Sequence, residues 1–212
     1  MDDKNICRSC IDCAARSCDG KSERHPDFCV SQGTEPDFRE EIKSRYTDDP
    51  ENSRIMKASA EIENDYYCRL TRVEETIEWA KKLGAKKIGI ATCVGLLSES
   101  RMLAKILRSH GFEVYGVSCK VGEIPKTDIG IDKRCLAVGT NICDPIMQAE
   151  LLEKEHTDIN IVMGLCVGHD SLFYKYSHTI TTTLVVKDRV LGNNPAAALY
   201  TAESYYKSKL FK

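Results

Sequence analysis

The sequence predicts an α/β fold in which a parallel sheet is sandwiched by helices, in a Rossmann-like or flavodoxin-like arrangement. Three observations predict it. Residues 86–212 alternate short apolar or β-branched runs with helical patterns. Residues 36–85 keep their apolar side chains at helical spacing. Residues 1–35 hold five cysteines and few large apolar residues, so they cannot build a core alone. The chain is therefore read as a cysteine-rich segment (1–35), a helical segment (36–85) and an α/β domain (86–212).

Phe38, Ile42 and Tyr46 recur every four residues and mark a first helix. Asp49-Pro50 reads as an N-cap followed by proline at the first helical position. From there Ile55, Ile62, Tyr66, Leu70, Val73, Ile77 and Ala80 stay close to one face. They predict one long helix, or two broken near Asn64-Asp65, stopped at Gly84. Ile88 to Cys93 is the first strand. Met102, Leu103, Ile106 and Leu107 mark a helix ending near Gly111, and Phe112 to Cys119 is the second strand. The stretch from Lys120 to Asn141 has no regular period. Asp144-Pro145 opens a helix, Ile159 to Cys166 is the third strand, and "SLFYKYS" is a short helix. "TITTTLVVKDRV" predicts a fourth strand, and "NPAAALYTAESYYKSKL" a single final helix.

Among 212 residues, 30 are basic and 32 acidic, a net charge of −2. Nothing here has the basic excess of a nucleic-acid binder. "MDDKNICRSC" lacks the basic and apolar pattern of a secretory signal. No apolar run approaches the ~20 residues of a membrane span. A soluble, cytoplasmic protein is predicted.

Cysteine is the outlier, at eleven residues. In a reducing compartment such an excess points to metal or redox chemistry. Free cysteine also serves as a small core residue; Cys68 and Cys135, which have no clear partners, are read as structural. The N-terminal spacing C-x2-C-x2-C-x4-C-x10-C (Cys7, Cys10, Cys13, Cys18, Cys29) lets turns aim paired sulfurs at one ion. The last gap of the ferredoxin run is one residue shorter, and Asp19 stands where its proline would be. Cys10, Cys13, Cys18 and Cys29 make the best tetrahedral set, with Cys7 to spare. The competing reading is an oxidisable cysteine tail.

The second group lies at strand ends. Cys93, Cys119 and Cys166 close three predicted strands, and Cys143 precedes a helix start. Parallel strands share one C-terminal edge, where open α/β sheets bind ligands. Four ends in a row span roughly 14 Å at ~4.8 Å per strand. A multi-iron cluster bridges that more easily than zinc, which holds sulfur at ~2.3 Å. An iron–sulfur cluster on Cys93, Cys119, Cys143 and Cys166 is the first expectation, and zinc the second. In "CVGHD", His169 is read as a ligand, a proton carrier or the base for a nucleophilic Cys166 or Cys93, with Asp170 beside it. Alternatively Asp170 caps the short helix and His169 fills the loop. Lys187, Asp188 and Arg189 follow the last strand; a solvated charge run is the first reading, and a place facing the same thiol edge the second.

"ATCVGL", "CDPIMQAELL", "GLCVGHDSLFYKYS" and "LVVKDRVLGNNPAAALY" with the N-terminal cysteines give the chain a resemblance to a known group. It resembles a family of small bacterial and archaeal cysteine-rich proteins of unknown function, labelled as candidate metal-binding proteins and widespread in anaerobes. The resemblance implies Cys10, Cys13, Cys18 and Cys29 as a metal-binding set, with Cys7 additional. It places Cys93, Cys143, Cys166, His169 and Asp170 inside family motifs, and an anaerobic setting favours iron–sulfur over zinc. The expectation is a metal or iron–sulfur protein with a redox role, acting with a redox partner or a small-molecule substrate. The alternatives are a cysteine-dependent enzyme with only a structural zinc, and a metal carrier or regulatory scaffold.

Overall fold

A computed structural model describes residues 8–211, and Cys7 lies outside them. The chain divides into two compact units, one ending at Ala60 and one starting at Glu61.

The first unit opens with two single turns, Cys10–Asp12 and Ser17–Asp19. Helix α1 (Pro36–Thr47) and the start of α2 (Pro50–Tyr66) follow. Asp49 caps α2 as predicted: its carboxylate accepts from Glu51 N–H at 2.8 Å and Asn52 N–H at 3.0 Å.

In the second unit α2 ends at Tyr66, and α3 runs Arg72–Lys82. The helical stretch is thus two helices, broken a few residues after Asn64-Asp65. Cys68 sits in the break with φ of 56°, and it is exposed, so this thiol does not pack in the core. Thr71 restarts the helix through a reciprocal cap with Glu74. Replacing Thr71 by Ala is expected to cost about 1 kcal/mol, read as a fall in urea midpoint at unchanged slope. Gly84 stops α3 at φ 70°, with Ala85 N–H returning to Ala80 O at 3.0 Å.

Four parallel strands follow: β1 (Lys87–Thr92), β2 (Glu113–Ser118), β3 (Ile159–Met163) and β4 (Ile180–Val185), in the order β2-β1-β3-β4. The helices between them are α4 (Leu97–Ser109), α5 (Pro145–Lys154) and α6 (His169–Tyr176). The predicted final helix is instead two short pieces, α7 (Ala196–Tyr200) and α8 (Lys207–Leu210). Exposed Leu199, Tyr200 and Tyr205 show why: this stretch has no buried face to sustain a longer helix. No helix among the described residues is long and apolar enough to cross a membrane.

Strand side chains alternate between faces. On one face Thr92 meets Ser100 of α4 at 2.6 Å. On the other, Ala91, Cys93, Val117 and Cys119 join Ala149 and Leu152 of α5 and Phe173 of α6 in one buried cluster. Fully buried Gln148 locks α5 to this face, donating to Thr92 O at 3.1 Å and Val117 O at 2.7 Å. The strand positions facing α5 therefore lead into thiols, Cys93 after β1 and Cys119 after β2.

Candidate functional site

The strand order sets the row of thiols. Cys119 follows β2, Cys93 follows β1, and Cys166 lies three residues past the end of β3, on three adjacent strands. These three span two strand gaps, roughly 10 Å, not three. The fourth thiol, Cys143, does not extend the row. It packs against the buried cluster that contains Cys93 and Cys119.

The irregular stretch explains how it gets there. Residues 120–142 leave the sheet and return, held by Lys126 N–H to Thr140 O at 2.9 Å and Ile142 N–H to Ile124 O at 2.9 Å. Lys120 clamps the returning strand by donating its ammonium to Asn141 O at 2.7 Å and Ile142 O at 3.1 Å. Asp144 N–H then bonds Cys119 O at 2.7 Å. Asp144 also accepts from Met147 N–H at 2.9 Å and so starts α5. Cys143 is thereby fixed beside Cys119, immediately before the positive end of a helix.

Two thiols within hydrogen-bonding reach of each other cannot titrate alike. The hydrogen bond with Cys143, together with burial, pushes the Cys119 thiol up. Val94 N–H donates to Cys119 Sγ at 3.3 Å, a weaker opposing effect. Hydrogen bonds from Cys119 and then His169 pull Cys143 down to about 4 against burial, helped by the charge of Lys120. The partner that is less buried and nearer the cations carries the negative charge. The pair is therefore a Cys119 thiol donating to a Cys143 thiolate.

Cys166 is held differently. Arg189 Nη2 donates to its sulfur at 2.8 Å. Burial nevertheless raises its pKa, and Arg189 only partly offsets this. Lys187 also faces the edge, since a Cβ added to Gly95 would lie 3.8 Å from its ammonium and 3.9 Å from Cys93 Sγ. Of the two readings of this charge run, Lys187 and Arg189 follow the second and turn to the thiols. Asp188 is spent on its own turn, accepting from Val190 and Leu191 N–H at 2.8 Å each. His169 serves Cys143, not Cys166 or Cys93, and its Nδ1 is buried with no hydrogen-bond partner. Asp170 lies inside the first turn of α6, whose N-cap is Gly168, and accepts from Gly168 N–H at 3.0 Å and Ser171 N–H at 2.8 Å.

In the first unit, the turn at Cys10–Asp12 brings Cys13 N–H to Cys10 O at 3.3 Å, so the C-x2-C pair shares one turn. Ser9 and Asp12 close that turn reciprocally. Cys18 sits on the next turn, which buried Ser17 anchors by donating to Arg24 O. Cys29 reaches His25 Nδ1 at 3.5 Å. Cys10, Cys13, Cys18, His25 and Cys29 all line one cavity of about 70 Å³. His25 is a donor that spacing alone does not reveal, because it lies between cysteines and not in a Cys-His pair. Among the described residues, no three Cys, His, Asp or Glu side chains close round one point at either place.

The family model described as "Protein of unknown function (DUF1847)" matches residues 29–184. An archaeal relative, "Uncharacterized protein MJ0455" of Methanocaldococcus jannaschii, is 49% identical over 176 residues, 83% of this chain and 89% of that protein. The matched segment contains Cys93, Cys119, Cys143, Cys166 and His169. It begins at Cys29, after Cys10, Cys13 and Cys18.

Proposed function

This chain belongs to the family of unknown function DUF1847, and from there we propose that it is a metal–thiolate protein with a redox role, its metal centre in the N-terminal cysteine module. The observation that carries the reading is the single cavity bordered by Cys10, Cys13, Cys18 and Cys29. Four sulfurs are the donor set of structural zinc and of iron–sulfur clusters. So few large apolar residues flank them that metal binding would supply much of this module's ordering energy. The four thiols must draw inward to bind, and the single turns that carry them allow it. His25 stands ready to orient Cys29, or to replace one of the exposed thiols, Cys10 or Cys18. An iron–sulfur cluster, the first choice, would supply one-electron transfer, whereas zinc would leave the module structural.

The test is metal and acid-labile sulfide per chain after anaerobic purification. Iron with sulfide is expected, and Cys13→Ser and Cys29→Ser should each lose most of it. They should also open residues 8–35 to limited proteolysis while the α/β unit stays intact. A protein with neither iron nor zinc overturns the reading. Zinc without sulfide overturns the electron-transfer role.

A further inference from the structure

We propose that Cys143 and Cys119 form a redox dithiol that reduces a disulfide, with Cys143 as the attacking sulfur and Cys119 as the resolving one. The inference is independent of the N-terminal metal. It rests on four features of the sheet edge. Cys143 packs against the buried cluster that contains Cys119, and each thiol is the main influence on the other's ionisation. The backbone next to Cys143 is tied to Cys119 by Asp144 N–H to Cys119 O at 2.7 Å. Exposure is divided between them: Cys119 is buried and Cys143 is half-buried. An attacking thiol must be reached by substrate, whereas a resolving thiol need only reach its neighbour. Finally, the buried Nδ1 of His169 has no partner, so the ring that serves Cys143 keeps a polar atom free for a proton or a substrate group.

The atoms balance as follows. The Cys143 thiolate attacks one sulfur of R–S–S–R′. That S–S bond breaks, Cys143–S–S–R forms, and R′S⁻ leaves. Cys119 gives up its proton to the released thiolate and attacks Cys143 Sγ. The Cys119–Cys143 bond forms as the bond to R breaks, and RS⁻ leaves. One disulfide is reduced to RS⁻ and R′SH, and the protein dithiol is oxidised by the same two electrons. Lys187 and Arg189, facing the same edge, favour departure of an anionic thiolate and binding of an anionic disulfide.

The reduced full-length protein is mixed with 5,5′-dithiobis(2-nitrobenzoate), acid-quenched at intervals and mapped by peptide mass spectrometry. Solvent-facing cysteines should retain the aryl adduct, whereas Cys143 should pass through it into a Cys119–Cys143 crosslink. Cys119→Ala should trap the adduct on Cys143. Cys143→Ser should slow modification of Cys119 at least about tenfold, because no thiolate is left to react first. The wild-type map needs no folded variant. An adduct that persists on wild-type Cys143, or a crosslink from Cys143 to Cys93 or Cys166, overturns the pairing. So does iron or zinc that is lost in Cys119→Ala and Cys143→Ser but kept when the N-terminal cysteines are replaced, since the thiols would then be ligands.

Discussion

Replacing Gly89 by Ala should destabilise the second unit by about 2–6 kcal/mol. Gly89 sits in β1 opposite Asn160 of β3 and Tyr115 of β2. A Cβ there lands on Asn160 Oδ1 and comes to 3.0 Å from Leu152 Cδ2. Neither neighbour can step aside. Asn160 and Leu152 are both fully buried. The Asn160 carbonyl accepts from Thr157 Oγ1 at 2.8 Å, and its amide donates to Ser177 Oγ at 3.3 Å. Overpacking costs about 1–3 kcal/mol, and forcing a buried amide off its partners adds about 1–3 kcal/mol. At about 2–4 °C per kcal/mol for a chain of this size, the melting temperature should fall by roughly 4–24 °C. The mechanism has a specific signature. Asn160→Ala removes the obstruction, and Thr157 Oγ1 still holds Leu152 O at 3.0 Å. Gly89→Ala added to Asn160→Ala should therefore cost far less than it does alone. Additive penalties, or a Gly89→Ala protein of normal stability, would show that this contact does not limit the sheet.

That glycine also marks the boundary of what the sequence reveals. Strands, caps and stops are local events. Asp49, Gly84 and Asp144 announce helix ends because each satisfies backbone groups within a few residues of itself. The thiol-bearing edge is legible one step further, because parallel strands must all end on the same side. That reasoning brings Cys93, Cys119 and Cys166 together without any coordinates. It does not tell which thiols pair. Cys143 meets Cys119 only because residues 120–142 close on themselves and Lys120 clamps the return, and nothing periodic encodes that path. Arg189 reaches Cys166 from beyond the last strand, where the sequence shows only a run of charges. His169 is the clearest case. Spacing ties it to Cys166, three residues away, but the first turn of α6 directs it to Cys143 instead. The gap at Gly89 is of the same long-range kind, set by a side chain more than seventy residues later.

Alkylation of Cys143 by iodoacetamide should be nearly independent of pH from 8 down to about 5, and should overtake that of an ordinary thiol as the solution is acidified. The sign follows from the lowered pKa. A thiol brought down to about 4 is almost all thiolate at pH 5, whereas one at ~8.5 is about three-thousandfold less ionised. Thiolate fraction is not the whole rate. Intrinsic nucleophilicity falls with basicity with a coefficient of ~0.4–0.5, so ~4.5 units of pKa cost about 60–180-fold. At pH 5 ionisation wins, and Cys143 should react roughly 20–50-fold faster than an unperturbed thiol. At pH 7.5 the ionisation advantage is only about tenfold, and Cys143 should be roughly 6–18-fold slower. The crossover, not raw speed at neutral pH, is thus the mark of this site. Each group that stabilises the thiolate should shift the breakpoint when removed. Cys119→Ala should raise it most, His169→Phe next and Lys120→Met least, because Cys119 donates directly, His169 donates as the second partner, and Lys120 acts through charge alone. Peptide mapping of the labelled residue against pH checks all of this. A rate at Cys143 that falls tenfold per unit from pH 8 downward would mean that the proton stays on Cys143. The thiol pair would then be ordinary core packing at the end of two strands.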